Sequence, residues 1–258
     1  TTGDPVTGSP LVSRSDAQLP VCRIQLVGTL DRSTVGVLRA VLVRALTDQP
    51  EAIIVDLSEL EVADDSALLA FPVAARRAQV WPATALILAA PRAAVARAMD
   101  RTGIARRVPV VGSVEQAVAD RQAAMVQPGR LHQWYKPVPA AAILARELAD
   151  RACRLWGVTE LSDVAQLLIT ELVSNAVRHA RSELRASLAL RAHRLLLSVQ
   201  DRSTRPVRLG GADDTYATHG RGLIVVKALA ARWGCLVGDD GKAVWAVLGP
   251  PGADTSVG

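Results

Sequence analysis

The stretch Leu167-Leu-Ile-Thr-Glu-Leu-Val-Ser-Asn-Ala-Val-Arg-His179 constrains the fold of this chain more than any other. Its period predicts a helix on which Glu171, Asn175 and His179 recur every four residues and so stack along one stripe. Leu167, Leu168, Leu172, Val173, Ala176 and Val177 cover the remaining sides, which buries most of the helix. The polar stripe then lines a cavity rather than bulk water. A carboxylate and a carboxamide in such a place suit a magnesium ion carrying nucleotide phosphates, because magnesium takes oxygen ligands and keeps several of its waters. An ordinary helix with solvated Glu, Asn and His is the competing reading of this window alone.

Two downstream segments bear on that choice. Leu195-Leu-Leu-Ser-Val-Gln-Asp201 reads as a strand ending in an acid, and Thr218-His-Gly-Arg-Gly-Leu-Ile-Val-Val-Lys-Ala-Leu229 as a glycine turn opening a helix. Free N–H groups at a helix N-terminus hold phosphate. The ordered set of Glu/Asn helix, strand-end acid and glycine turn resembles the Bergerat-fold (GHKL-type) ATP-binding domains over residues 138–249, and among them the bacterial anti-sigma-factor serine kinases. Glu171–His179 carries the likeness to their first motif and Gly220-Arg-Gly-Leu223 to their last glycine box. The resemblance implies ATP and Mg2+ as cofactors, Asn175 holding the metal through the nucleotide, and Glu171 as catalytic base. It implies Asp201 accepting a hydrogen bond from the adenine amino group, with His179, Gly220, Arg221 and Gly222 completing the nucleotide site. The chain departs from the family after Asp201, where Arg202, Ser203, Thr204 and Arg205 stand in place of an Asp-X-Gly-X-Gly run. Thr218 stands where a first glycine is usual, and Ala243 where relatives often have Thr.

The chain has 258 residues, enough for two domains each with its own core. Half of it is apolar but only 3% aromatic, so Ala, Val, Leu and Ile must build both cores. Of 30 basic residues only Lys136, Lys227 and Lys242 are lysine. The arginines are scattered without an aromatic platform or a reading motif, which argues against direct nucleic-acid binding despite a net charge of +5. Cys22, Cys153 and Cys235 fit no metal-ligand spacing and suggest a reducing compartment. No apolar run reaches the roughly 18 residues of a membrane helix, and Thr1–Val6 does not read as a secretory signal, so a cytoplasmic location is expected.

Residues 1–19 are rich in Gly, Pro, Ser and Asp and read as a flexible leader. Val21–Val27 predicts a strand, and Ser33 or Thr34 caps a helix running to about Ala45 with Val37, Leu38, Val41, Leu42 and Leu46 as its buried stripe. Ala52–Leu57 reads as a strand buried on both faces, and a helix starting near Ser66 has Asp64 or Asp65 as its cap. Further strands and helices alternate to residue 125, so helices lie against a mixed or parallel sheet. This half resembles the STAS domain, the fold of bacterial anti-sigma-factor antagonists, over residues 20–125. Val27-Gly-Thr-Leu-Asp31, Ile53-Ile-Val-Asp-Leu-Ser58 and Asp64-Asp-Ser-Ala-Leu68 carry that likeness. Antagonists of the family read Asp-Ser-Ser-Gly-Leu in the last segment and are phosphorylated on the second Ser, which implies Ser66 as the acceptor here. Asp65 and Ala67 depart from that pattern.

Residues 126–137 read as a linker whose Trp134-Tyr135 begins the first strand of the second domain. Residues 138–250 then predict two helices, a hairpin of 184–190 with 195–200, a helix over 222–232, and a hairpin closed by Asp239-Asp-Gly-Lys242. Residues 251–258 read as a flexible tail. The fold class is α/β (α+β): a STAS-like mixed sheet followed by a Bergerat-type sandwich on an antiparallel sheet.

The two resemblances together imply a partner-switching regulator of a sigma factor. Its partners are a sigma factor, STAS-type antagonists, or its own STAS domain in cis, and a homodimer is left open. Three readings remain: a serine kinase, a catalytically weak switch that sequesters a sigma factor, and, ranked last, an unrelated ATPase or a histidine-kinase remnant.

Overall fold

A computed structural model of the protein describes residues 10–18, 21–124, 130–191, 193–207, 221–238 and 240–249. The chain divides into two compact units, Thr1–Val126 and Gln127–Gly258.

The first unit is a mixed five-stranded sheet in the order β1-β2-β3-β4-β5: β1 (Val12–Gln18), β2 (Val21–Leu30), β3 (Ala52–Val62), β4 (Ala85–Ala89) and β5 (Val110–Val111). Only β1 runs antiparallel to its neighbour; the other pairs are parallel. In β3, Ala52–Val55 and Leu57 are buried, as a strand covered on both faces requires. Helices α1 (Val35–Thr47), α2 (Ala70–Val80) and α3 (Ala93–Thr102) connect the successive strands from β2 to β5, and α4 (Val114–Ala124) follows β5. Leu38, Leu42 and Leu46 of α1 are buried, but Val37 is exposed and Val41 half-buried, so the buried stripe is narrower than the sequence suggests. Gly103 ends α3 in the left-handed region (φ 68°).

The reading of residues 1–19 as a leader is corrected at Val12–Gln18, which pairs with Val27–Val21 in seven-residue register. An edge strand is held by backbone hydrogen bonds to one neighbour and so does not need the apolar alternation by which strands are recognised. Residues 1–9 and the tail 251–258 lie outside the described residues.

The second unit is an antiparallel five-stranded sheet in the order β6-β7-β8-β10-β9. Its strands are β6 (Arg130–Tyr135), β7 (Leu184–Arg191), β8 (Arg194–Asp201), β9 (Arg232–Gly238) and β10 (Gly241–Leu248). Helices α5 (Ala140–Leu155), α6 (Ser162–His179) and α7 (Arg221–Leu229) share one core with it. Tyr135, Ala145, Ala149, Leu168, Leu172, Leu184, Leu197 and Val226 belong to that core. The predicted linker is shorter than 126–137, since β6 already begins at Arg130. Trp134 is exposed and lies over the Arg185 guanidinium, 5.7 Å from ring centroid to Cζ. Arg185 and Ser187 are themselves buried, as are Leu184, Ala186 and Leu188, so β7 is covered on both faces. Helix α7 stops at Leu229, short of residue 232, because the Ala231 amide donates to the Val247 carbonyl and turns the chain into β9.

Candidate functional site

The site in the first unit is the turn between β3 and α2. Asp64 is extended (φ −133°) and its Oδ1 accepts the Ser66 amide at 2.9 Å, capping a short 3-10 turn over Asp65–Leu69 that runs into α2. Asp64 Oδ2 accepts from Arg32 Nε at 2.7 Å. Asp65 Oδ2 accepts two bonds from Arg101 of α3, from Nε at 3.0 Å and from Nη2 at 2.7 Å. The Ser66 hydroxyl and amide, then the Arg32 guanidinium, hold the Asp64 carboxyl below the usual carboxylate range. Ser66 is exposed beside these two clamped carboxylates. Arg32 and Arg101 carried no signal in the sequence, standing 32 and 36 residues from their partners among many scattered arginines.

The site in the second unit is built where α6 meets the ends of β8 and β10. Asp201 and Lys242 are directly opposed across the β8–β10 ladder, and Lys242 Nζ lies 2.9 Å from Asp201 Oδ1. Their side chains are 1% (Asp201) and 4% (Lys242) exposed. The Ser203 amide donates to the same Oδ1 at 2.7 Å, so among the described residues both donors fall on one oxygen and Oδ2 receives none. Gly241 makes the approach possible. Its φ is 144°, and a Cβ there would overlap the Asp201 carbonyl oxygen.

Asn175, His179, Ser203, Arg205 and Lys242, with Pro206 and Val207, line a cavity of about 490 Å3. The predicted neighbours Asn175 and His179 are thus brought together on the exposed end of α6, and Asp201 stands behind Lys242 and Ser203. Glu171 goes elsewhere: it lines a separate cavity of about 400 Å3 with Pro139, Ala142, Ser174 and Arg178. Its carboxylate touches the first turn of α7, and a Cβ on Gly222 would overlap it. Gly220 lies outside the described residues, and Arg221 is described only as the first residue of α7.

As for a resident metal, among the described residues no group of three or more His, Cys, Asp and Glu side chains could hold one. A magnesium ion brought with a nucleotide needs no such cage. The Asn175 carboxamide facing a cavity beside the cationic Lys242 and Arg205 fits a metal–phosphate ligand in donor type and in charge.

A mixed sheet with its carboxylate-capped serine turn between β3 and α2 defines the first unit, and residues 15–117 match the STAS domain family. The first unit carries a STAS domain. The match begins within β1, ahead of residue 20. Solved structures similar to this chain include an anti-sigma factor antagonist from Mycobacterium paratuberculosis (20% identity, 43% of this chain and 94% of that one, TM-score 0.39). Another is the anti-sigma factor antagonist SpoIIAA in its unphosphorylated form (20%, 45% and 100%, TM-score 0.38). A third is an anti-sigma-factor antagonist (STAS) domain protein from Planctomyces limnophilus (16%, 42% and 95%, TM-score 0.36). No curated protein matches the chain. Among the described residues no helix is long and apolar enough to cross a membrane.

Proposed function

We propose that this protein is a partner-switching regulator in which a STAS domain is joined to a unit that holds a purine nucleotide with Mg2+, ATP being the nucleotide the sequence resemblance implies. The observation that carries the proposal is the convergence of Asn175, His179 and Lys242 on one cavity, with the Asp201 carboxylate fixed behind it at the end of β8. Three chain segments more than sixty residues apart end to end supply that set. Asn175 supplies a magnesium-facing oxygen, and Lys242 and Arg205 supply positive charge for phosphate. Bound magnesium and triphosphate would supply the electrophile; Ser66, exposed on its capped turn, is the acceptor hydroxyl, in this chain or in a separate STAS protein. A sigma factor is the partner whose release the switch controls.

A second reading, a switch that binds nucleotide and partner without transferring phosphate, is favoured by the position of Glu171. Its carboxylate lies against Gly222 and faces a different cavity from Asn175. A base must stand within hydrogen-bond reach of the proton it removes.

Incubation of the purified protein with ATP and magnesium, followed by intact mass spectrometry, separates the two readings. The kinase reading expects one added phosphate on the protein or on a supplied STAS partner, lost in Asn175→Ala and, for transfer in cis, in Ser66→Ala. Nucleotide binding without mass gain supports the second reading. Absence of both binding and transfer at millimolar nucleotide would end the nucleotide-based proposal.

A further inference from the structure

In the first unit, α1 and α2 pack against one another and leave an open trough of about 270 Å3 between them. α1 lines it with Arg39, Leu42, Val43 and Leu46, and α2 with Ala70, Val73, Ala74 and Arg77. Both sets step along the chain by three and four residues, so each is one continuous helical face. Leu42 and Leu46 form a buried floor while Val73 is 57% exposed, so apolar surface runs from the core out to solvent. The trough is separate from the Ser66 turn, since neither Arg32 nor Arg101 lines it.

Its charge is one-sided. Neither helix contains an Asp or a Glu, and together they carry Arg39, Arg44, Arg76 and Arg77. Among the described residues Arg39, Arg76 and Arg77 pair with no carboxylate, whereas Arg32 and Arg101 are both engaged by Asp64 and Asp65. Each helix thus brings to the trough a guanidinium that has donors and lacks an anionic acceptor. We infer that the trough is a docking surface for an acidic amphipathic helix of a partner protein. The apolar face of that helix fills the floor, and carboxylates on its flanks take Arg39 and Arg77. An anionic bilayer offers the same charge, but it is entered by apolar side chains on a projecting face, and here the apolar surface is a concavity between two helices.

Fluorescence anisotropy of the full chain with a fluorescein-labelled synthetic peptide tests the inference. The peptide has about 18 residues, with leucine recurring at i, i+3, i+4 and i+7 and glutamate on the other faces. A second peptide has the same composition in an order that gives no apolar face. The patterned peptide should bind at least about tenfold more tightly than the scrambled one. Arg39→Glu/Arg77→Glu should weaken it by about tenfold or more, and Arg106→Glu/Arg107→Glu, at two exposed arginines outside the trough, by less than about threefold. Val73→Lys separates shape from charge, because it adds a cation while obstructing the floor. Docking in the trough requires weaker binding by that variant, and plain attraction between opposite charges requires tighter. Arg39, Val73 and Arg77 are all exposed, so these variants leave the core intact. Equal affinity for the two peptides, tighter binding by Val73→Lys, or no binding of the patterned peptide at millimolar concentration would overturn the inference. Sedimentation with phosphatidylglycerol vesicles supplies the rival outcome: pelleting that Arg39→Glu/Arg77→Glu abolishes, with the patterned peptide unbound, would assign the surface to a bilayer and refute a helical partner.

Discussion

Removing the Lys242 ammonium while leaving its packing should expose how far the second unit depends on one closed ion pair. Lys242→Met keeps an unbranched side chain of similar reach but leaves the Asp201 carboxylate 1% exposed with only the Ser203 amide on it. Breaking a buried pair from one side costs about 3–5 kcal/mol, most of it the stranded charge. The surviving amide bond puts the expected loss near the lower end, about 3 kcal/mol, or a fall in melting temperature on the order of 10 °C for a unit of this size. Urea unfolding followed by tryptophan fluorescence suits the question, because four of the five tryptophans (Trp134, Trp156, Trp233 and Trp245) lie in the second unit. The double variant Asp201→Leu/Lys242→Met removes both charges and should recover to within about 1 kcal/mol of wild type. A loss below about 1 kcal/mol in the single variant, the range of solvated surface pairs, would mean that water reaches the pair. A double variant no more stable than the single would show that lost packing, not stranded charge, is responsible.

Other expectations follow from the same geometry. Gly241→Ala should destabilise the second unit by on the order of 2–3 kcal/mol in the same urea assay, because φ is 144° and the new Cβ overlaps the Asp201 carbonyl. Asn175→Ala should abolish magnesium-dependent nucleotide affinity in calorimetry, whereas Glu171→Ala should leave binding nearly intact; equal losses would remove Glu171 from any role specific to transfer. The Asp64 carboxyl is held below its ordinary value of 3.8, so its contribution to stability is present above that pH and is lost as pH falls through the lower folded value. Asp64→Asn should therefore flatten the acid limb of the stability profile below pH 3.8 and leave its shape near neutrality unchanged. Ser66→Asp should change capture of a STAS-binding partner in pull-downs by adding charge beside two clamped carboxylates, and an unchanged yield would separate Ser66 from partner choice.

The α6 stripe was legible because its evidence is periodic: Leu168, Leu172, Val173 and Ala176 are buried, while Asn175 and His179 reach a cavity. The β7–β8 hairpin was legible for the same reason. Glu171 and Asn175 are one helical turn apart, yet they face different cavities, because α7 packs against one flank of the stripe and its Gly222 receives the carboxylate. Periodicity places residues on a face but cannot say which neighbour covers each part of it. Lys242 did leave a trace, as one of three lysines in a chain that otherwise uses arginine, set directly after a hairpin glycine. Its role depends on the β8–β10 register, a pairing over 41 residues that no local pattern encodes. The arginine clamps on Asp64 and Asp65 were hidden for the same reason.

The strand Val12–Gln18 also determines where this protein can safely be cut. Seven residues of β1 pair with Val21–Val27 along one edge of β2, whose inward side chains Ile24 and Leu26 are fully buried. A fragment beginning at Val21 would present β2 as a naked edge, with free amides and carbonyls along a strand of high β propensity. Such an edge recruits any extended segment, another copy of itself included. Fragments of the first unit should therefore stay monodisperse when they start before Leu11 and self-associate when they start at Val21, and a partner found only with the shorter fragment would be an artefact of the missing strand.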